Sequence, residues 1–172
     1  MSETTNQTYK EDLVVVRILN APVERVWQAW TDPKHVRRWW GPRHYASETA
    51  IIDLRVGGRY VFGMTAPAEQ GGLESFTSGI YHKIVPLERL EFTQVLSDRE
   101  GKPIDPALVG LPPDFPEELY MTVVFKAIGT LTELTITEHE WAMGQIYLYS
   151  LVGMQQSIDK MAAALAASAG SV

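Results

Sequence analysis

The segment Asn20–Pro42, NAPVERVWQAWTDPKHVRRWWGP, constrains this chain most. Four of the five tryptophans lie within it. An indole is a large apolar surface with one N–H donor, so it is costly to leave in water and needs a hydrogen-bond partner when buried. The segment must therefore lie against something apolar. Pro22 suits the first position of a helix, where its missing N–H would be unpaired anyway. Val23, Val26, Trp27 and Trp30 follow at i, i+3, i+4 and i+7, a single helical face. Thr31 and Asp32 can cap a second short helix, begun by Pro33 and ending near Trp39-Trp40, where Gly41-Pro42 prevents continuation.

On either side of this helix pair the patterning is that of strands. Leu13–Leu19 is a β-branched run with Arg17 its only charge, which predicts a largely covered strand. Beyond Tyr45 the period becomes two. Thr49–Val56 alternates weakly, and Gly57-Gly58 marks a turn. Arg59–Thr65 places Tyr60, Phe62 and Met64 on one face, and Ala66–Gly72 reads as a hairpin loop. Phe76–Val85, Arg89–Leu96, Tyr120–Ile128 and Leu131–Trp141 complete the set, with an antiparallel meander as the simplest arrangement. Between Leu96 and Tyr120 lies a proline-rich insertion that excludes a regular helix or central strand. Leu108, Val109, Leu111 and Phe115 make it more apolar than a disordered linker, so it reads as a lid over one end of the domain. Gln145–Ser168 forms one helix of about six turns. Leu151, Met154, Ile158, Met161 and Leu165 run along it as an apolar stripe.

These elements predict one domain over residues 13–168, with a disordered tail at 1–12, a lid-like loop at 97–119 and a C-terminal tail at 169–172. A net charge of −6 argues against partnership with nucleic acid or an anionic membrane. The absence of cysteine excludes disulfide and thiolate chemistry. The polar start, MSETTNQTYKED, is unlike a secretory leader, and a cytoplasmic location is the default expectation.

The chain resembles the START-like (SRPBCC) superfamily, and within it the family of homologues of the activator of the Hsp90 ATPase. The resemblance rests on Ala21-Pro22 with Val26-Trp27, Thr31-Asp32-Pro33, Trp39-Trp40-Gly41-Pro42 and Asp53–Gly58. Gly79-Ile80-Tyr81, Leu134–Thr137 and the final helix continue it, so it covers roughly 14–165. It implies an α+β helix-grip fold: a curved antiparallel β-sheet wrapped around a long C-terminal helix, with two short helices after the first strand. It also implies a ligand cavity between sheet and helix. Members of the family often carry Gly-Trp in the last helix, where this chain has Gly153-Met154, a change that would reshape that end of a cavity.

Candidate chemistry follows from these pieces. His35, His44, His82 and His139 show no metal-ligand spacing, so neither metal nor cofactor is expected. Nucleophile-elbow and phosphate-loop signatures are absent. In the last strand Glu138 shares the parity of Leu134 and Ile136, which turns it inward, while His139 faces the other way. An inward carboxyl is either paired, with Arg43, Arg55 or Arg59 as candidates, or raised in pKa and available as an acid or base. Glu138, with His44 and His139 behind it, is thus the weak catalytic candidate. Expected ligand contacts are the aromatics Trp39, Trp40, Tyr60, Phe62, Phe92, Tyr120, Trp141 and Tyr147, with Tyr149 in the same aromatic set, the polar His44, Gln94 and Thr122, and Met154. The leading expectation is a protein that binds a small hydrophobic or aromatic molecule. A chaperone-docking module and a polyketide cyclase- or hydrolase-type enzyme are the alternatives, and monomer and homodimer both stay open.

Overall fold

The computed structural model describes residues 9–169. Seven strands form one antiparallel sheet: β1 (Lys10–Leu19), β2 (Ala50–Ile52), β3 (Arg59–Thr65), β4 (Glu74–Val85), β5 (Arg89–Ser97), β6 (Leu119–Ile128) and β7 (Leu131–Ala142). Their order across the sheet is β1-β7-β6-β5-β4-β3-β2. β2 to β7 is a meander. β1 departs from it by returning to the far edge, where Val15 pairs with Ile136. Helices α1 (Val23–Thr31) and α2 (Pro33–Val36) follow β1, and α3 (Gln145–Ala169) closes the chain. This is the α+β helix grip.

Several boundaries differ from the sequence reading. Lys10, Glu11 and Asp12 belong to β1 rather than to a tail, because β7 runs on to Ala142 and offers them partners. Residues 1–8 and 170–172 lie outside the described residues, and Ala169 is the last residue of α3. α2 ends at Val36 and the chain reaches Trp39-Trp40 by hydrogen-bonded turns. The weak run 49–56 pairs only over Ala50–Ile52. β1 is covered on one face alone: Leu13, Val15 and Leu19 are buried, whereas Val14, Val16 and Ile18 are about half exposed.

The helix pair is anchored by its tryptophans, although the buried Trp30 indole N–H has no partner among the described residues. Asp32 accepts the Lys34 N–H and caps α2. Trp30 and Trp39 pack ring on ring at 4.7 Å, and the Trp39 indole donates to the Ala29 carbonyl at 2.8 Å. Trp27 meets Phe125 of β6 edge-on at 5.1 Å. Truncating either buried indole to alanine is expected to cost about 3–5 kcal/mol. The stripe on α3 divides: Ile158, Met161 and Leu165 are buried in the core, while Leu151 and Met154, nearer the start of the helix, are only partly buried. Arg17, on the inner face of β1, ties that edge to Asp159 of α3 at 2.7 Å. The helix is thus held tightly at its C-terminal half and spaced from the sheet at its N-terminal half.

Candidate functional site

That spacing opens a cavity of about 470 Å³ between α3 and the inner face of the sheet. Its existence follows from residue size. Ser150, Gly153 and Ser157 face it from α3 at spacings of three and four, so the helix presents small side chains where it would otherwise plug the gap. On the sheet, Ser75, Thr77 and Gln94 line it, while further along the same strands Tyr81 and Phe92, joined by Tyr60 of β3, fill the interior with aromatic rings. Trp40, Met64, Trp141 and Met154 supply apolar wall.

Two segments close the rim. In the first, Gly41, Pro42 and Tyr45 line the cavity, and the Lys160 ammonium of α3 donates to all three carbonyls at 2.9–3.3 Å. Burial lowers the Lys160 pKa. The second is the insertion between β5 and β6, which contributes Leu111, Phe115 and Pro116. Its other apolar residues do not join them: Leu108 is 82% exposed and Val109 faces out with it. A short 3-10 turn, capped by the Asp105 side chain on the Ala107 N–H, directs them into solvent.

The polar floor is built by a bulge. Leu13 opposes Glu138, yet Glu11 opposes Trp141, so β7 carries extra chain at this point. Glu140 takes up the irregularity with φ of 59°. Asp12 secures it by accepting the Glu140 N–H at 3.0 Å. Strict alternation would put Glu138 and Trp141 on opposite faces. The bulge brings both inward, and the Trp141 indole donates to the Glu138 carboxyl. Loss of hydration pushes the Glu138 pKa up to about 7, against the smaller opposing effect of the indole N–H. None of the three arginines weighed as its partner serves: Arg43 leans toward Asp159, Arg55 pairs with Asp53, and Arg59 is exposed. Two further buried polar atoms on the wall, Thr77 Oγ1 and Gln94 Oε1, have no partner among the described residues; the only other such atom is the Trp30 indole nitrogen in the core.

The expected contact residues separate into groups. Trp40, Gln94, Trp141 and Met154 line the cavity together with Glu138. Trp39, Tyr60 and Phe92 are core residues, with the Tyr60 hydroxyl donating to the Thr93 carbonyl. Phe62 stands behind the wall against Trp40 at 4.9 Å. Tyr147 packs on the core, whereas Tyr149, which the sequence also offered as a pocket aromatic, lines the cavity. His44 is exposed, in a turn with φ of 71°. Tyr120 and Thr122 lie on the outer face, since their strand neighbours Leu119, Met121 and Val123 take the inner one. There Thr122 bonds His139 at 2.9 Å, and His139 leans on Asp12 at 3.4 Å. His44 and His139 therefore cannot share chemistry with Glu138. Sequence reasoning missed Thr77 and the small-residue face Ser150-Gly153-Ser157. The second was visible as a break in side-chain size along α3.

Among the described residues no group of three or more histidines and carboxylates could hold a metal ion, and no helix is long and apolar enough to cross a membrane.

A curved sheet gripping a helix, with a cavity between them, defines a START-like protein. The family model for the Activator of Hsp90 ATPase homolog 1-like proteins matches residues 20–166, and the chain belongs to that family. Comparison with curated proteins returns no match. Among solved structures, a protein from Chromobacterium violaceum superposes with a TM-score of 0.73 at 26% identity, over 90% of this chain and 96% of that one. A protein from Arthrobacter aurescens gives 0.74 at 25% identity, over 90% and 86%. The AHSA1 protein of Silicibacter pomeroyi gives 0.70 at 20% identity, over 91% and 99%, a likeness of fold alone.

Proposed function

We propose that this protein binds a small hydrophobic or aromatic molecule in the cavity between the sheet and α3. The observation that carries this reading is the pairing of about 470 Å³ of largely apolar space with unpartnered polar atoms on its wall. Binding sites for small molecules combine such walls with a few placed polar groups. An unpartnered buried polar atom costs about 1–3 kcal/mol, which a ligand that bonds it returns. Docking on a chaperone draws only on the family's name, whereas cavity binding draws on geometry. An enzymatic role would rest on Glu138 alone.

The test uses N-phenyl-naphthylamine, a neutral apolar dye that fluoresces when removed from water. Saturable fluorescence enhancement is expected with the native chain. It should be lost in Met154→Trp, which fills the cavity from α3, with the circular dichroism unchanged. No enhancement with the native chain, together with no retained molecule in native mass spectrometry, would sink the reading.

A further inference from the structure

Among the described residues Glu138 is the only carboxyl on the cavity wall, and no lysine, arginine or histidine lines it. The cations nearby in the fold are committed elsewhere. Lys160 is held by the three carbonyls of the rim loop, and Arg17 and Arg43 turn to Asp159. Of the Glu138 carboxyl, one oxygen takes the Trp141 indole N–H, and the other has no donor among the described residues. Gln94 adds an unpartnered Oε1 to the same wall.

We propose that the cavity selects a hydrophobic aromatic amine, its nitrogen bonded to Glu138 and Gln94 and its apolar body against Trp40, Trp141 and Met154, and rejects hydrophobic carboxylates. This rests on the cavity-binding reading above and narrows it to a ligand class. A carboxylate entering here would leave water without meeting a cation and would stand beside a second acidic group, and two carboxyls sharing such a site cannot both ionise. An ammonium or N–H donor gives the buried Glu138 the partner it lacks, and indole faces attract a cation directly.

Glu138 also makes the preference depend on pH. The groups turned toward it do not compete. Tyr60 and Tyr81 are held neutral by burial, Leu13 and Met121 are its apolar strand neighbours, and the side chains lining the cavity from α3 and the insertion are uncharged. Affinity for an amine that stays protonated should therefore rise roughly tenfold between about pH 6 and pH 8 as Glu138 ionises.

The experiment titrates the full chain with naphthylmethylamine, naphthalenemethanol and naphthoate, read by calorimetry at about pH 8. The amine is expected to bind about tenfold or more tighter than the alcohol, with naphthoate undetectable. Glu138→Gln should bring the amine level with the alcohol. The wild-type comparison stands whether or not that variant folds. Naphthoate binding as tightly as the amine, or the amine matching the alcohol, would overturn this inference while leaving the cavity reading intact. Failure of all three to bind removes both.

Discussion

Between the ordinary carboxyl value and about pH 7, Glu138 holds a proton in the folded chain that the unfolded chain releases. Its pKa is raised to about 7 by burial, so the folded state binds the proton more tightly than the unfolded state over the interval between the ordinary carboxyl value and 7. Stability attributable to this group is therefore unaffected below about pH 4, falls as pH rises through that interval, and stays low above it, by about 3 kcal/mol in all. Glu138→Gln keeps an acceptor for the Trp141 indole and carries no charge. Thermal melts should show it more stable than wild type at about pH 8 and little changed at about pH 4. Equal differences at both pH values would contradict the assignment. At the opposite extreme of residue size, Gly79 lies on the inner face of β4 under the Tyr60 ring, and a Cβ there would come within 1.7 Å of the Thr93 carbonyl oxygen. Because the obstruction is backbone, it cannot rotate away. Gly79→Ala is expected to lose about 3 kcal/mol or more in denaturant unfolding. The resemblance marked Gly79 in sequence but could not give its reason, which is contact with a neighbouring strand.

Between elements, the rim loop and α3 are joined by the Lys160 side chain, with Gln156 accepting the Arg43 N–H and Asp159 facing the Arg43 guanidinium. Lys160 satisfies three carbonyls of a loop that meets the sheet through the Ala46–Thr65 bridge. Lys160→Met keeps the stem and removes the donors. It should cost about 1–2 kcal/mol and speed amide exchange across Gly41–Ala46, with α3 protection unchanged. Unchanged exchange in that loop would show that packing of Trp40 and Pro42 holds it instead. Element identity was legible from patterning: the helix pair, the strand runs and α3 all lie where periodicity put them. Three features were not. Residue type alone assigned Tyr120 and Thr122 to the cavity, although the parity of Leu119, Met121 and Val123 argued for the other face. The β7 bulge, which turns Trp141 onto the face of Glu138, depends on Asp12 from a strand far away in sequence. The apolar half of the insertion split into wall and solvent, and composition carries no information on that division.

At the scale of the molecule, the first strand pairs with the last. β1 pairs with β7 across more than a hundred residues, whereas β4 and β5 pair through a tight turn. Loop-closure entropy must be met before so distant a pairing returns energy, so β1 should dock late in folding. Val15→Ala on β1 is expected to speed unfolding and leave folding nearly unchanged, with a φ-value below about 0.3, and Leu90→Ala on β5 to slow folding more. A Val15 value near that of Leu90 would place β1 in the nucleus.

By itself the sequence determined the elements, the inward parity of Glu138 and the membership of the tryptophan-rich segment in the core, because these follow from local propensity and from periods of two and 3.6 residues. It also carried the family, through the order of its motifs. Only the tertiary structure decided which side chains meet. The cavity is the space left where a helix bearing Ser150, Gly153 and Ser157 stands off a sheet bearing Thr77 and Gln94. Volume of that kind is a property of two surfaces held apart by packing elsewhere. Trp40 and Trp39, adjacent in sequence and alike in chemistry, fall one on the cavity wall and one in the core for this reason.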